Sequence, residues 1–180
     1  MKENNGPGRP PVKGADGLAP STENGPRPLS EEVRPTTALL RGIHHVAIIC
    51  ADYPRSRAFY VDVLGLEVIA ENYRAQRASY KLDLRLPSGA QIELFSFPEP
   101  PARPSTPEAQ GLRHLAFAVD DMVSAVAYLE SCGVAVEPVR VDEFTGQRFT
   151  FFNDPDGLPL ELYEVRQEPD LVDTQRNNQA

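Results

Sequence analysis

The sequence predicts an α+β fold made of paired βαβββ modules that curl a mixed sheet around a shared centre. Three observations predict it. One stretch of the chain repeats itself. Each copy passes from an alternating apolar pattern to a helical one and back again. All fourteen Phe and Tyr residues lie between Tyr53 and Tyr163, which marks the part of the chain able to bury a core.

The repeat fixes the architecture. His45 opens the run HVAIICADYPRSRAFYVDVLGLEV, and His114 opens HLAFAVDDMVSAVAYLESCGVAV. In each copy a His leads an apolar run, an Asp follows six or seven residues later, and a Gly comes 19 or 20 residues after the His. The apolar run is a strand, which places His45, Ala47 and Ile49 on one face and Val46, Ile48 and Cys50 on the other. Asp52 and Asp120 stand where helix N-caps belong, and Gly65 and Gly133 where C-caps belong. Phe59 and Val63 mark the apolar face of the first helix; Met122, Val126 and Leu129 mark that of the second. Three strands follow each helix. The first half offers Leu66–Tyr73, Ser79–Leu86 and Gln91–Phe97, and the second Val134–Val141, Arg148–Asn153 and Leu158–Val165.

Residues 1–39 hold seven prolines, five glycines and no aromatic residue. Such a segment cannot offset its ordering entropy of roughly 1–2 kcal/mol per residue, so a disordered arm is expected. Residues 167–180 are equally polar and read as a flexible tail. The body is then 40–166, with module 1 at 42–97, a proline-rich crossover at 98–110 and module 2 at 111–165. The five prolines of the crossover favour extended polyproline II, which suits a bridge between modules. A ligand for an SH3-type domain is the other reading of the same prolines.

The whole chain carries a net charge of −8, and residues 40–166 hold 12 basic against 18 acidic side chains. That argues against nucleic acid or an anionic membrane surface as the main partner. No apolar stretch approaches the ~20 residues of a membrane span, and no secretory signal is evident. Two cysteines, Cys50 and Cys132, are too few for a disulfide scaffold. The expectation is a cytoplasmic protein.

Chemistry concentrates at four positions. Of the three histidines, His45 and His114 begin the repeats, while alternation predicts that His44 faces the opposite side from His45 and has no metal role. The last strand of each half carries an apolar-flanked Glu, in Ile92-Glu93-Leu94 and Leu160-Glu161-Leu162. The His-to-Glu separations are 48 and 47 residues. Approximate twofold symmetry would bring the four side chains to one centre. A carboxylate among apolar neighbours is costly unless paired or bound to a metal. Singly, a strand His is ordinarily a satisfied or exposed residue, and a lone Glu an ion-pair partner. The matched spacing selects a metal site: His45, Glu93, His114 and Glu161. Asn153-Asp154-Pro155-Asp156-Gly157 is by itself a turn.

These residues resemble the vicinal oxygen chelate superfamily, the glyoxalase/bleomycin resistance/dioxygenase fold. The carriers are His45-Val-Ala-Ile with Ala58-Phe59-Tyr60 and Leu64-Gly65, then Ile92-Glu93-Leu94, Gly111-Leu-Arg-His114, and Asp154-Pro-Asp-Gly157 ahead of Leu160-Glu161-Leu162. The likeness spans about residues 42–165. The His/Glu/His/Glu set is similar to glyoxalase I (lactoylglutathione lyase). It implies a lyase in which Glu161, with Glu93, carries the proton. In that enzyme an Arg four residues after the first ligand and an Asn four after the second help hold glutathione. Here those positions are Ile49 and Phe97, and neither can bond a carboxylate or a peptide group. Glutathione as cosubstrate is therefore left open. Ala47, Ile49, Phe95, Phe97, Ala116 and Ala118 outline an apolar cavity instead, with Arg148 or Arg113 as anion contacts.

Two imidazoles and two carboxylates suit one divalent ion, Zn, Ni, Co, Mn or Fe. A small substrate with adjacent oxygens would chelate it, and the Lewis acid would stabilise the enediolate formed on proton loss. The family also offers metal-dependent dioxygenases, thiol transferases of the fosfomycin-resistance type and non-enzymatic binding proteins. It implies a homodimer as well, and leaves open whether the modules pair within one chain or between chains.

Overall fold

The computed structural model describes residues 39–104, 107 and 110–165. Nearly all of the expected arm and the whole of the expected tail lie outside them.

The first half runs β1 (His45–Cys50), α1 (Tyr53–Ala58), β2 (Glu67–Arg74), β3 (Ser79–Arg85) and β4 (Gln91–Ser96). The second runs β5 (Leu115–Val119), α2 (Met122–Ser131), β6 (Arg140–Val141), β7 (Arg148–Asn153) and β8 (Pro159–Glu164). Each half forms a four-stranded mixed sheet of the same topology, β1-β4-β3-β2 and β5-β8-β7-β6. In each, the strand that starts the module pairs parallel with the strand that ends it, and the other pairings are antiparallel. The paired βαβββ expectation holds.

The caps explain the helix starts. Asp52 accepts the Arg55 N–H at 3.1 Å, and Pro54 fits the first turn, where its missing N–H costs nothing. The first helix then widens into a π-turn over Phe59–Val63, with the Leu64 N–H reaching back to the Phe59 carbonyl. Within that turn two consecutive aromatic residues, Phe59 and Tyr60, are both buried. Gly65 ends it at φ +70°, a conformation that favours glycine. For α2 the cap is Asp121 rather than the expected Asp120: its carboxylate accepts the N–H groups of Val123 and Ser124.

A second correction concerns the strand expected over Val134–Val141. Only Arg140–Val141 is a strand, with Val136 forming an isolated bridge to Phe152. Pro138 lies between them and has no N–H to donate, so the ladder cannot run through. The segment still follows β7, since the Glu137 N–H donates to the Phe151 carbonyl at 2.8 Å.

Alternation separates the faces. Ile48, Cys50, Leu82, Leu84, Ile92 and Leu94 are buried on the helix-facing side of the first sheet, and Phe152, Leu160 and Leu162 on that of the second. They form one core with Met122 and Leu129 of α2 and Phe59 and Tyr60 of the first helix. The residues between them in sequence therefore lie on the opposite face of each sheet, and those faces carry the candidate chemistry. Among the described residues no helix is long and apolar enough to cross a membrane.

Candidate functional site

On the open face of the first sheet, β1 and β4 run side by side with Ala47 opposite Glu93. His45, two residues earlier on the same face, places its Nε2 3.8 Å from Glu93 Oε2; His44 does not turn away as expected, since it precedes the strand and sets its Nδ1 3.0 Å from His45 Nδ1. On the second sheet β5 and β8 repeat the arrangement, with Ala116 opposite Glu161. His114 stands two residues before Ala116, and its Nε2 lies 2.9 Å from Glu161 Oε2. One His and one Glu thus meet on each open face. The pairs stay separate: among the described residues no three His, Cys, Asp or Glu side chains gather closely enough to hold one ion. The His114 Nδ1 is buried with no hydrogen-bond partner.

The two carboxylates have different neighbours. Across β3, Asp83 sits opposite Glu93, and the Lys81 ammonium reaches Glu93 Oε1 at 3.0 Å while also bonding Asp83. Partial burial works against the Lys81 charge, but its hydrogen bonds to Asp83 and Glu93 outweigh this and raise its pKa. Across β7, Phe151 sits opposite Glu161, and the Phe151 ring meets His114 edge-on at 5.2 Å. Lys81 and Asp83 escape a reading of single segments. Their alternation with Leu82 and Leu84 was visible, but not the strand that would face them.

Ile49 is 56% exposed and, with Ala47, lines a cavity of about 490 Å³ between β1, the crossover and the Asp154–Leu158 turn. Phe95 and Phe97 stack with each other, and the Arg74 guanidinium lies 4.9 and 5.6 Å from their ring centres. Arg148 is not on the open face. Along β7 it alternates with Phe149 and Phe151, and it is bound to Glu164 through two hydrogen bonds, with Asp121 at 3.8 Å. Its charge is engaged at the start of α2, where Glu164 also accepts the Met122 N–H. Arg113, beside His114, does line a cavity next to that imidazole. Neither thiol joins the site: Cys132 follows α2, and burial of Cys50 in the core pushes its pKa up to about 11.

The Asp154–Gly157 turn acts inward. Tyr60 donates to Asp154 Oδ2 at 3.0 Å, and Asp154 also accepts the N–H groups of Asp156 and Leu158. Asp156 accepts the Ala51 N–H at 3.0 Å and the Ser56 hydroxyl at 3.4 Å. The turn therefore clasps the second half to the first at the joint between β1 and α1. Burial raises the Asp154 pKa despite the bonds that favour its ionised form.

Comparison with known proteins places this geometry in a family. Residues 42–162 match the model of the Glyoxalase/Bleomycin resistance protein/Dioxygenase superfamily. The chain is 61% identical over 126 residues to the uncharacterized protein YwkD of Bacillus subtilis, covering 70% of this chain and 98% of that one. It is 62% identical over 125 residues to the uncharacterized protein YaeR of Escherichia coli, covering 69% and 97%. Among solved structures, a glyoxalase family protein from Enterococcus faecalis is 50% identical, with a TM-score of 0.67, covering 71% of this chain and all of that one. With the family model matched across both sheets, this chain belongs to the Glyoxalase/Bleomycin resistance protein/Dioxygenase superfamily.

Proposed function

We propose that the protein is a divalent-metal-dependent lyase or isomerase of the glyoxalase I type, with His45, Glu93, His114 and Glu161 as the ligands. The observation that carries this reading is the His–Glu pair at the same place on each open face, at 3.8 and 2.9 Å. Two donors that each bind a first-row ion at about 2.0–2.2 Å stand about 3.0–3.4 Å apart at octahedral to tetrahedral angles. The two observed separations, 2.9 and 3.8 Å, lie on either side of that spacing. The donor set fits Zn, Ni, Co, Mn or Fe.

Two donors are half a site. Both open faces must meet to complete it, and we assign that meeting to a homodimer, the first face of one copy against the second face of the other. Exposure of Ala47, Ile49, Ala116 and Ala118 supports this arrangement.

When bound, the ion supplies Lewis-acid polarisation of a small substrate's adjacent oxygens. The remaining work falls to the chain. Glu161 takes the proton from the carbon beside the polarised carbonyl and returns it to the neighbouring carbon. The apolar walls at Ile49, Phe95 and Phe97 exclude water from the reacting carbon. Lys81 fixes Glu93 by its ion pair. Ile49 and Phe97 offer nothing to a glutathione carboxylate or peptide, so methylglyoxal with glutathione is expected to be a poor substrate.

The test is a screen of dicarbonyls, hydroxy acids and their thiol conjugates against the protein loaded with each metal. Turnover that needs the metal, and neither oxygen nor an added thiol, supports the reading. Oxygen consumption would make the protein a dioxygenase, and product only with a thiol cosubstrate a transferase.

A further inference from the structure

β2 is the outermost strand of the first sheet, and no other strand among the described residues pairs with its outer edge. It is eight residues long, contains neither Pro nor Lys, and is interrupted only by a bulge at Ile69. Its counterpart in the second sheet, β6, has two residues and is cut short by Pro138. A free edge offers a row of N–H and C=O groups to any passing strand, and proline, lysine or a short run is the common protection. Module 2 has that protection, whereas module 1 exposes Val68, Ile69 and Tyr73 along the edge.

The side chains along β2 complement a second copy of themselves. Residues directly opposite in a ladder share a face. Glu67 lies opposite Arg85 and Arg74 opposite Ser79, an even number of positions apart on β3, so Glu67 and Arg74 share the open face. Val68 lies opposite Leu84 and Tyr73 opposite Tyr80, so Val68 and Tyr73 share the helix-facing side. A second β2 can be laid antiparallel about a twofold axis at Glu71, with Ile69 left as the extra residue of each strand. Glu67 then meets Arg74 of the other copy, and Val68 meets its Tyr73. Symmetry supplies each pair twice. The two Glu71 carboxylates meet at the axis, and each brings its own Arg57 at 3.3 Å and Tyr53 hydroxyl at 2.6 Å. This match of charge and face selects a second copy over an unrelated extended segment.

We propose that β2 is a self-association edge, which pairs antiparallel with β2 of a second copy and joins two first sheets into one of eight strands. β4 and β3 separate β2 from β1, about 14 Å at ordinary strand spacing, and the contact extends the sheet sideways without covering either open face. It needs no metal and does not rest on the lyase reading. Added to the face-to-face dimer proposed above, this second twofold contact builds particles of four copies. Edge pairing buries far less surface than two faces meeting, so it comes apart first on dilution and leaves the face-to-face dimers.

The test is sedimentation of the full-length protein over a dilution series. At the concentrated end, wild type should hold twice as many copies per particle as Tyr73→Lys, which sets an ammonium against Val68 of the other copy. Glu67→Arg turns both ion pairs into repulsions and should raise the dissociation constant of this step by at least about tenfold. Val123→Lys, on the exposed surface of α2, should sediment as wild type. The register has its own test. Opposite residues of an antiparallel pair stand about 4.5–5.5 Å apart between Cα atoms, within disulfide reach. Glu71→Cys in a Cys132→Ser background should therefore form a covalent dimer under mild oxidation, the remaining thiol, Cys50, being buried. Equal copy numbers in wild type, Tyr73→Lys and Glu67→Arg, or no covalent dimer of the Glu71→Cys chain, would overturn the proposal. The metal reading fails separately, by metal content alone, which the edge variants should leave at the wild-type level.

Discussion

Glu93 and Glu161 occupy equivalent places in the two sheets and face unlike partners, Asp83 with Lys81 in one case and Phe151 in the other. Topology makes the halves alike; the neighbouring strand makes them chemically unequal. Glu93 is anchored by an ammonium at 3.0 Å, whereas Glu161 meets the imidazole of His114 at 2.9 Å.

The first prediction follows from that inequality. Glu161→Gln should lower kcat by about 10²–10⁴-fold, the usual share of a general base, while much of the metal stays bound. An amide oxygen still coordinates, but the amide takes no proton at neutral pH. Glu93→Gln should be the milder change in kcat. Steady-state kinetics of metal-loaded variants decide it, and a Glu161→Gln enzyme as fast as wild type would reduce Glu161 to a ligand.

The clasp between the halves gives the second. Tyr60 is fully buried, and its hydroxyl donates to Asp154 across 94 residues of chain. Tyr60→Phe removes one of the three bonds to that carboxylate and leaves the ring in place. Urea unfolding should show a loss of about 1–3 kcal/mol, the range for a buried bond to a charged group. No loss would mean that the turn is held by its backbone bonds alone.

Glu164 supplies a pH dependence. The Arg148 guanidinium, followed by the Met122 N–H, holds its carboxyl below the ordinary glutamate value. A depressed carboxyl stabilises the fold above its unfolded pKa of roughly 4.3, and that stability is lost as pH falls through the folded value. The Tm advantage of wild type over Glu164→Gln should therefore be full at neutral pH and shrink below about pH 4.3. A difference that does not change with pH would show that the clamp does not depend on the charge.

Much of this was legible in the sequence, for reasons that can be named. Period-two alternation fixes which side chains share a face, so His45, Ala47 and Ile49 could be separated from Val46, Ile48 and Cys50 before any fold was known. Closely matched spacing in the two repeats, 48 and 47 residues from His to Glu, did the same for Glu93 and Glu161. What escaped depends on pairing between distant segments. Arg148 looked available, but its place on β7 turns it toward Glu164 on the adjacent strand β8. Asp120 and Asp121 are both plausible caps by composition, and only the backbone turn into α2 selects Asp121. The Asp154–Gly157 segment read as a turn and nothing more; its role in joining the halves depends on Tyr60 and Ala51, about a hundred residues away.

The central claim is that the two His–Glu pairs share one ion between copies, and one measurement tests it most directly. His45→Ala and His114→Ala chains, each with its own tag, are co-expressed, and the mixed dimer is isolated and its metal determined by elemental analysis. Such a dimer contains one site with both pairs intact and one with both broken. The account predicts wild-type dimers with two ions, mixed dimers with one, and dimers of either variant alone with little or none. A His114→Ala dimer as fully occupied as wild type would contradict the site itself, and mixed dimers without metal would contradict its assembly between chains.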